Sequence, residues 1–148
     1  MAMSAPMRAG LGFLAAALAV LTFHQGMWAA LHALNLPGMG MPAPYPTDPI
    51  APLGVPRVVN LCFWGGLYGV VFGLLSPRFT LPLWLCGLIT GCIAASVGLL
   101  LVPAIKGLPM GGGWMWTSWA RSLLINGSWG LGLGIIFPTL MPRRMQRA

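Results

Sequence analysis

Four long apolar runs, at about 9–34, 56–75, 81–102 and 116–137, constrain this chain more than any other feature. Each is long enough to cross the roughly 30 Å hydrocarbon core of a bilayer, which takes about 20 residues of helix. At that depth no water is present to satisfy backbone N–H and C=O groups, so a run of this length has to satisfy them internally as a helix. Composition agrees, since 57% of the 148 residues are apolar and 6% are charged, against about 25% charged in a soluble domain. The expected fold is an all-α integral membrane protein with a single transmembrane domain over 1–148. The first run follows Arg8 and resembles the apolar region of a signal peptide, but it stays apolar as far as Leu34, which favours a retained span.

Between the runs the chain is marked by proline and glycine. Residues 35–55 hold Pro37, Pro42, Pro44, Pro46, Pro49, Pro52 and three glycines. Each proline removes a backbone donor and blocks the preceding turn, so a stiff, partly polyproline loop is expected here, folded over one end of the bundle. Loops of this length in a small protein tend to be functional surfaces or linkers. The sole carboxylate, Asp48, lies in it. A second loop, 103–115, contains Gly111, Gly112 and Gly113, and 138–148 forms a tail.

The formal charge is +7. Without a soluble basic stripe to follow a phosphate backbone, such a charge points to lipid headgroups and topology, not to nucleic acid. Arg8, Arg78, Arg143, Arg144 and Arg147 fall on one side, and Arg57, Lys106 and Arg121 on the other. Basic residues are retained in cytoplasmic loops, so both termini are expected in the cytoplasm of a bacterial cell, with the two loops outside the inner membrane.

Residues 60–73 and 126–137 are similar to each other. Both begin with Asn and carry Trp-Gly, a second Gly four residues later, β-branched residues and a Phe. Copies separated by an even number of spans run in the same direction, so the expectation is two helical-hairpin repeats related by an axis along the membrane normal. Gly65, Gly69 and Gly73 lie at i, i+4 and i+8 in the second run, Gly87 and Gly91 in the third, and Gly130 and Gly134 in the fourth. In lipid, close backbone approach across small residues supplies the contacts that hold helices together. Those glycines, flanked by Trp64 and Trp129, are the expected packing residues. Beside them Asn60, Trp64, Tyr68 and Phe72 make an i, i+4 ridge.

Polar groups inside a membrane are costly and tend to face the bundle interior. His24 and Gln25 lie about ten residues from the end of the first run, on the order of 15 Å deep. Asn126 reaches a similar depth, and His32, Asn60 and Arg121 lie nearer the surface. Their convergence would make a polar pocket opening beneath the Pro-rich loop, with Arg57, Lys106 and Arg121 at its mouth and Asp48 as counter-charge. The alternative is hydrogen bonding between helices, worth ~0.6 kcal/mol each.

No cofactor is expected from these residues. Two-histidine haem ligation fails because His24 and His32 are on one helix, roughly 12 Å apart. A single axial bond from His24 to haem or chlorophyll, and copper held by His32, Met39 and Met41, remain as alternatives. Cys62, Cys86 and Cys92 form no CxxC pair, and nothing resembles a zinc site. No nucleophile stands beside a base, and the Gly111–Gly113 run lacks the Lys and Ser or Thr that a phosphate-binding loop needs, so an enzyme is not expected.

The segments Phe23-His24-Gln25-Gly26, Pro52-Leu-Gly-Val-Pro56, Phe63-Trp64-Gly65-Gly66, Lys106-Gly107 and Asn126-Gly-Ser-Trp-Gly130 resemble small four-span bacterial membrane proteins of uncharacterised role, over roughly residues 10 to 137. The resemblance implies an architecture and no activity. Two functions stay open at this point. One is an accessory subunit of a respiratory or photosynthetic assembly, partnered by other membrane subunits, lipids or a second copy. The other is a small transporter or channel for a polar or anionic solute.

Overall fold

In the computed structural model of the chain, residues 3–142 are described. Among them are four helices long and apolar enough to cross a membrane: α1 (Ala5–Leu34), α2 (Arg57–Arg78), α3 (Leu83–Ile105) and α4 (Trp116–Leu140). The tail arginines Arg143, Arg144 and Arg147 lie outside the described residues.

Four helix ends lie three or four residues from expectation, each at a proline, and that of α2 is extended by one tight turn, Ser76–Arg78, around Pro77. α1 begins at Ala5, with Pro6 in its first turn, where a missing N–H costs nothing. α3 passes through Pro103 instead of stopping there. A proline within a helix clashes with the carbonyl four residues back, but a wide π turn over Val97–Leu101 precedes this one. The helix then restarts as Val102–Ile105, with Pro103 in its first turn. α4 likewise runs past Pro138 to Leu140, so residues 138–140 belong to the helix and not to the tail.

Glycine faces join the helices in pairs. On α1, Gly12 lies against the Gly69 carbonyl of α2, and Gly73 lies against the Arg8 carbonyl. On α3, Gly87 and Gly91 meet the carbonyls of Gly130 and Asn126, while Gly134 meets that of Leu83. A Cβ at any of these positions would overlap backbone, so the helices touch main chain to main chain. That proximity supplies dispersion contacts that bulkier faces could not reach in lipid.

Two glycines of α2 serve side chains instead. Gly65 makes room for Val20 and the Trp129 indole, and Gly66 makes room for the Phe13 ring. α1 also packs on α4, and Phe72, Trp129, Leu133 and Phe137 form a core between the pairs. Phe72 meets Phe137 edge-on at 5.6 Å. α2 and α3 are consecutive but touch sparingly, which leaves a groove between them.

The 35–55 loop is less uniform than proline content suggests. Its last part is a two-residue antiparallel pair, β1 (Pro49–Ile50) with β2 (Val55–Pro56), closed by Gly54 N–H donating to the Ile50 carbonyl at 2.9 Å. Gly54 has φ 67°, which suits a residue with no Cβ. In the second loop, Gly111, Gly112, Gly113 and Trp114 have φ of 66°, 59°, 71° and 58° and make a left-handed turn. Such a turn costs an ordinary L-residue about 1–2 kcal/mol, which explains the three glycines. Trp114, the exception, stacks on Trp119 at 6.0 Å.

Candidate functional site

The site is built where α1 is irregular. Residues Val20–His24 form a π turn in the middle of the span, an arrangement that often marks functional positions. A wide turn leaves carbonyls poorly paired along the helix, and in lipid each such group costs several kcal/mol. Three other elements supply donors to this section. Tyr45 of the Pro-rich loop donates its hydroxyl to the Leu21 carbonyl at 2.8 Å. From α4, Ser128 Oγ donates to Phe23 O at 3.2 Å, and Trp129 Nε1 to Ala16 O at 3.0 Å. Cys62 of α2 directs its thiol to Ala17 O at 3.8 Å.

Gln25 follows the π turn and is fully buried. Its Oε1 accepts the Tyr45 backbone N–H at 2.6 Å, and its Nε2 lies 3.4 Å from His24 Nδ1. His24 is buried too, with its ring 5.9 Å from that of Trp28. Trp28 Nε1 donates to the Pro42 carbonyl at 2.8 Å. One turn on, His32 Nδ1 lies 2.8 Å from the Met41 carbonyl; a carbonyl only accepts, so that nitrogen carries the proton. A single face of α1 thus holds the loop at Pro42, Met41 and Tyr45.

The remaining expected residues divide into those the loop engages and those it does not. Arg57 Nε donates to Asp48 Oδ2 at 2.8 Å, and both side chains are about half exposed. Arg57 N–H also donates to Asp48 O, and Val58 N–H to Pro46 O, so the loop caps the first turn of α2. Arg121 points Nη1 at Gly40 O over a long 3.5 Å. Asn126 turns back on its own helix, donating to Ser122 O at 2.9 Å, and does not join His24 and Gln25. Asn60 is half-buried in α2, and Lys106 is exposed at the end of α3.

Of the soft side chains, Met39 is buried against Leu31 and Ile125, with Met41 packed beside them. Among the described residues no group of three His, Cys, Asp or Glu converges. The arrangement therefore docks the loop on a polar strip of α1, with the Tyr45 N–H on Gln25 and Met39 packed against Leu31 and Ile125. Sequence reasoning missed Tyr45 and Trp28. A lone Pro-Tyr-Pro in a loop between membrane spans was the available signal for the first. It also missed Gly12, although Gly12 and Ala16 form a small-residue pair at i, i+4.

The Arg57 guanidinium hydrogen-bonded to Asp48 holds that carboxyl below the usual carboxylate range. A folded pKa below the unfolded value of about 3.9 stabilises the fold above that value and is lost as pH falls through the folded one. The difference in melting temperature between the wild type and Asp48→Asn should therefore be small and constant near neutrality and shrink below about pH 4. An undiminished difference at lower pH would show that this exposed pair does not latch the loop.

The chain matches no protein-family model, no curated protein and no solved structure.

Proposed function

We propose that this protein is a non-catalytic accessory subunit of a larger bacterial inner-membrane assembly, of respiratory or photosynthetic type. The observation that carries the reading is how the chemistry-bearing groups are engaged. Gln25, His32, Arg57 and Asp48 hold the loop, and His24 is buried between Gln25 and Trp28. What the fold leaves outward on α2 is a bulky face of Phe63, Trp64, Leu67 and Val71, with Phe63 and Trp64 edge-on at 5.7 Å. Large aromatic side chains of this kind anchor interfaces.

The architecture proposed with it has two hairpin repeats whose second helices run the same way. Contacts of Tyr68 with Trp129 and of Phe72 with Phe137 support that reading. The excess of arginine on the Arg8 and Arg78 side supports cytoplasmic termini, with the Pro-rich loop outside.

The test is native purification in mild detergent with mass spectrometry and an absorption spectrum. Stoichiometric co-purification with larger subunits is expected, weakened by Trp64→Ala. Recovery of the chain alone and colourless would overturn the reading. The transporter reading keeps one specific support, the buried His24 and Gln25 at mid-span under a loop. It requires that Arg121→Ala or His24→Ala abolish solute flux in proteoliposomes while the fold survives.

A further inference from the structure

The groove between α2 and α3 lies on the opposite half of the molecule from the docked loop. It has a volume of about 470 Å³ and is walled by Tyr68, Phe72 and Leu75 on one side and Ile89 and Ile93 on the other, with Phe79 at its end. Thr90 also lines it, but its hydroxyl donates to the Cys86 carbonyl within α3 at 2.9 Å. The walls run from Tyr68 to Leu75 on α2 and from Cys86 to Ile93 on α3, on the order of 10 Å along the axis, within the depth of a single leaflet of a roughly 30 Å core.

The kind of occupant follows from where the glycines went. Helices associate in lipid through small-residue faces. Gly66, Gly69 and Gly73 of α2, and Gly87 and Gly91 of α3, all face contacts inside the chain. The walls that remain are branched and aromatic, which suits a flexible hydrocarbon chain better than a second helix. Charge supplies the other half. Arg78 closes α2 immediately before Phe79, is exposed, and forms no ion pair among the described residues. Arg8 lies at the same end, with its carbonyl against Gly73, but its Nη1 donates to the Met3 carbonyl and its Nε is buried, so Arg78 is the group left for a headgroup.

We propose that the α2–α3 groove is a binding site for an anionic phospholipid, with an acyl chain along the walls and the phosphate at Arg78. The guanidinium reads the headgroup charge, and the groove holds the chain that brings it there. This inference stands apart from the subunit reading, because it needs no partner protein.

The experiment takes the full-length protein in an equimolar mixture of phosphatidylglycerol and phosphatidylcholine of identical acyl chains, followed by native mass spectrometry. A retained lipid is expected, with phosphatidylglycerol favoured about fivefold, the effect of one basic residue beside an anionic headgroup. Arg78→Gln should bring the ratio close to one while lipid is still retained. Lys106→Gln, at the other end of α3, should leave the ratio unchanged. Ile89→Trp fills the groove and should remove the retained lipid of either type. Should that variant fail to fold, Leu75→Trp fills it from the opposite wall and carries the same expectation. No preference for phosphatidylglycerol, a preference that survives Arg78→Gln, or a dimer of the chain in place of the lipid would each overturn the proposal.

Discussion

Gly130→Leu is expected to unfold or strongly destabilise the α3–α4 pair, while Gly10→Ala and Gly26→Ala leave the protein as stable as the wild type or slightly more so. A Cβ at Gly130 would run into the backbone of Gly87 and Gly91, and nothing lies within 4 Å of one added at Gly10 or Gly26. Overpacking a tight interior typically costs about 1–3 kcal/mol and sometimes more. Here the obstacle is main chain, which cannot rotate away as a side chain does, so the helices must part. Gly69→Leu should act likewise on the α1–α2 pair, since its neighbour is the Gly12 carbonyl. At open helical positions, by contrast, alanine removes a propensity cost of up to about 1 kcal/mol. Apparent melting temperatures in a single detergent check all four. A Gly130→Leu protein that melts with the wild type would mean that the pair is not held by backbone contact.

The second large effect is at Gln25. Gln25→Leu keeps the volume similar but deletes the acceptor of the Tyr45 N–H, which is then left without its buried partner. An unsatisfied donor of this kind costs about 1–3 kcal/mol, so the loop should open about fivefold to a hundredfold more often. Hydrogen exchange at the Tyr45 amide reads this directly, with faster exchange expected there and unchanged exchange in α3. Tyr45→Phe should give a smaller effect of the same sign, because only the bond to the Leu21 carbonyl is lost. Equal exchange in wild type and Gln25→Leu would mean that Trp28, His32 and the Arg57–Asp48 pair hold the loop without Gln25.

These two sites separate what was legible in the sequence from what was not. Gly69, Gly73, Gly87, Gly91, Gly130 and Gly134 were legible as packing residues because their spacing places them on one face of a helix. Which backbone each would meet was not legible. Gly65 shares that spacing, yet it serves the Trp129 indole, because Trp129 reaches across to hydrogen-bond Ala16. The polar residues show the same division. His24 and Gln25 were recognisable as buried polar groups from their depth in an apolar run. The partner of Gln25, Tyr45, stands twenty residues away in a segment whose prolines say only that it is not helical. Asn126 was grouped with them on depth alone, and it bonds instead to Ser122, one turn back on α4.

The sequence by itself determined four helices long and apolar enough to cross a membrane, and the proline-rich break after the first. Both are local consequences: in lipid a segment must satisfy its own backbone, and proline cannot donate. Only the tertiary structure decided that α1 opens into a π turn at Val20–His24 and that Tyr45, Ser128 and Trp129 complete it. It also decided that the helices pair through main-chain contact and leave a groove between α2 and α3. The reason is that a carbonyl released by a wide turn, or a glycine face, has many partners open to it along the chain. Which one it takes depends on segments tens of residues apart being packed together, and no local periodicity carries that information.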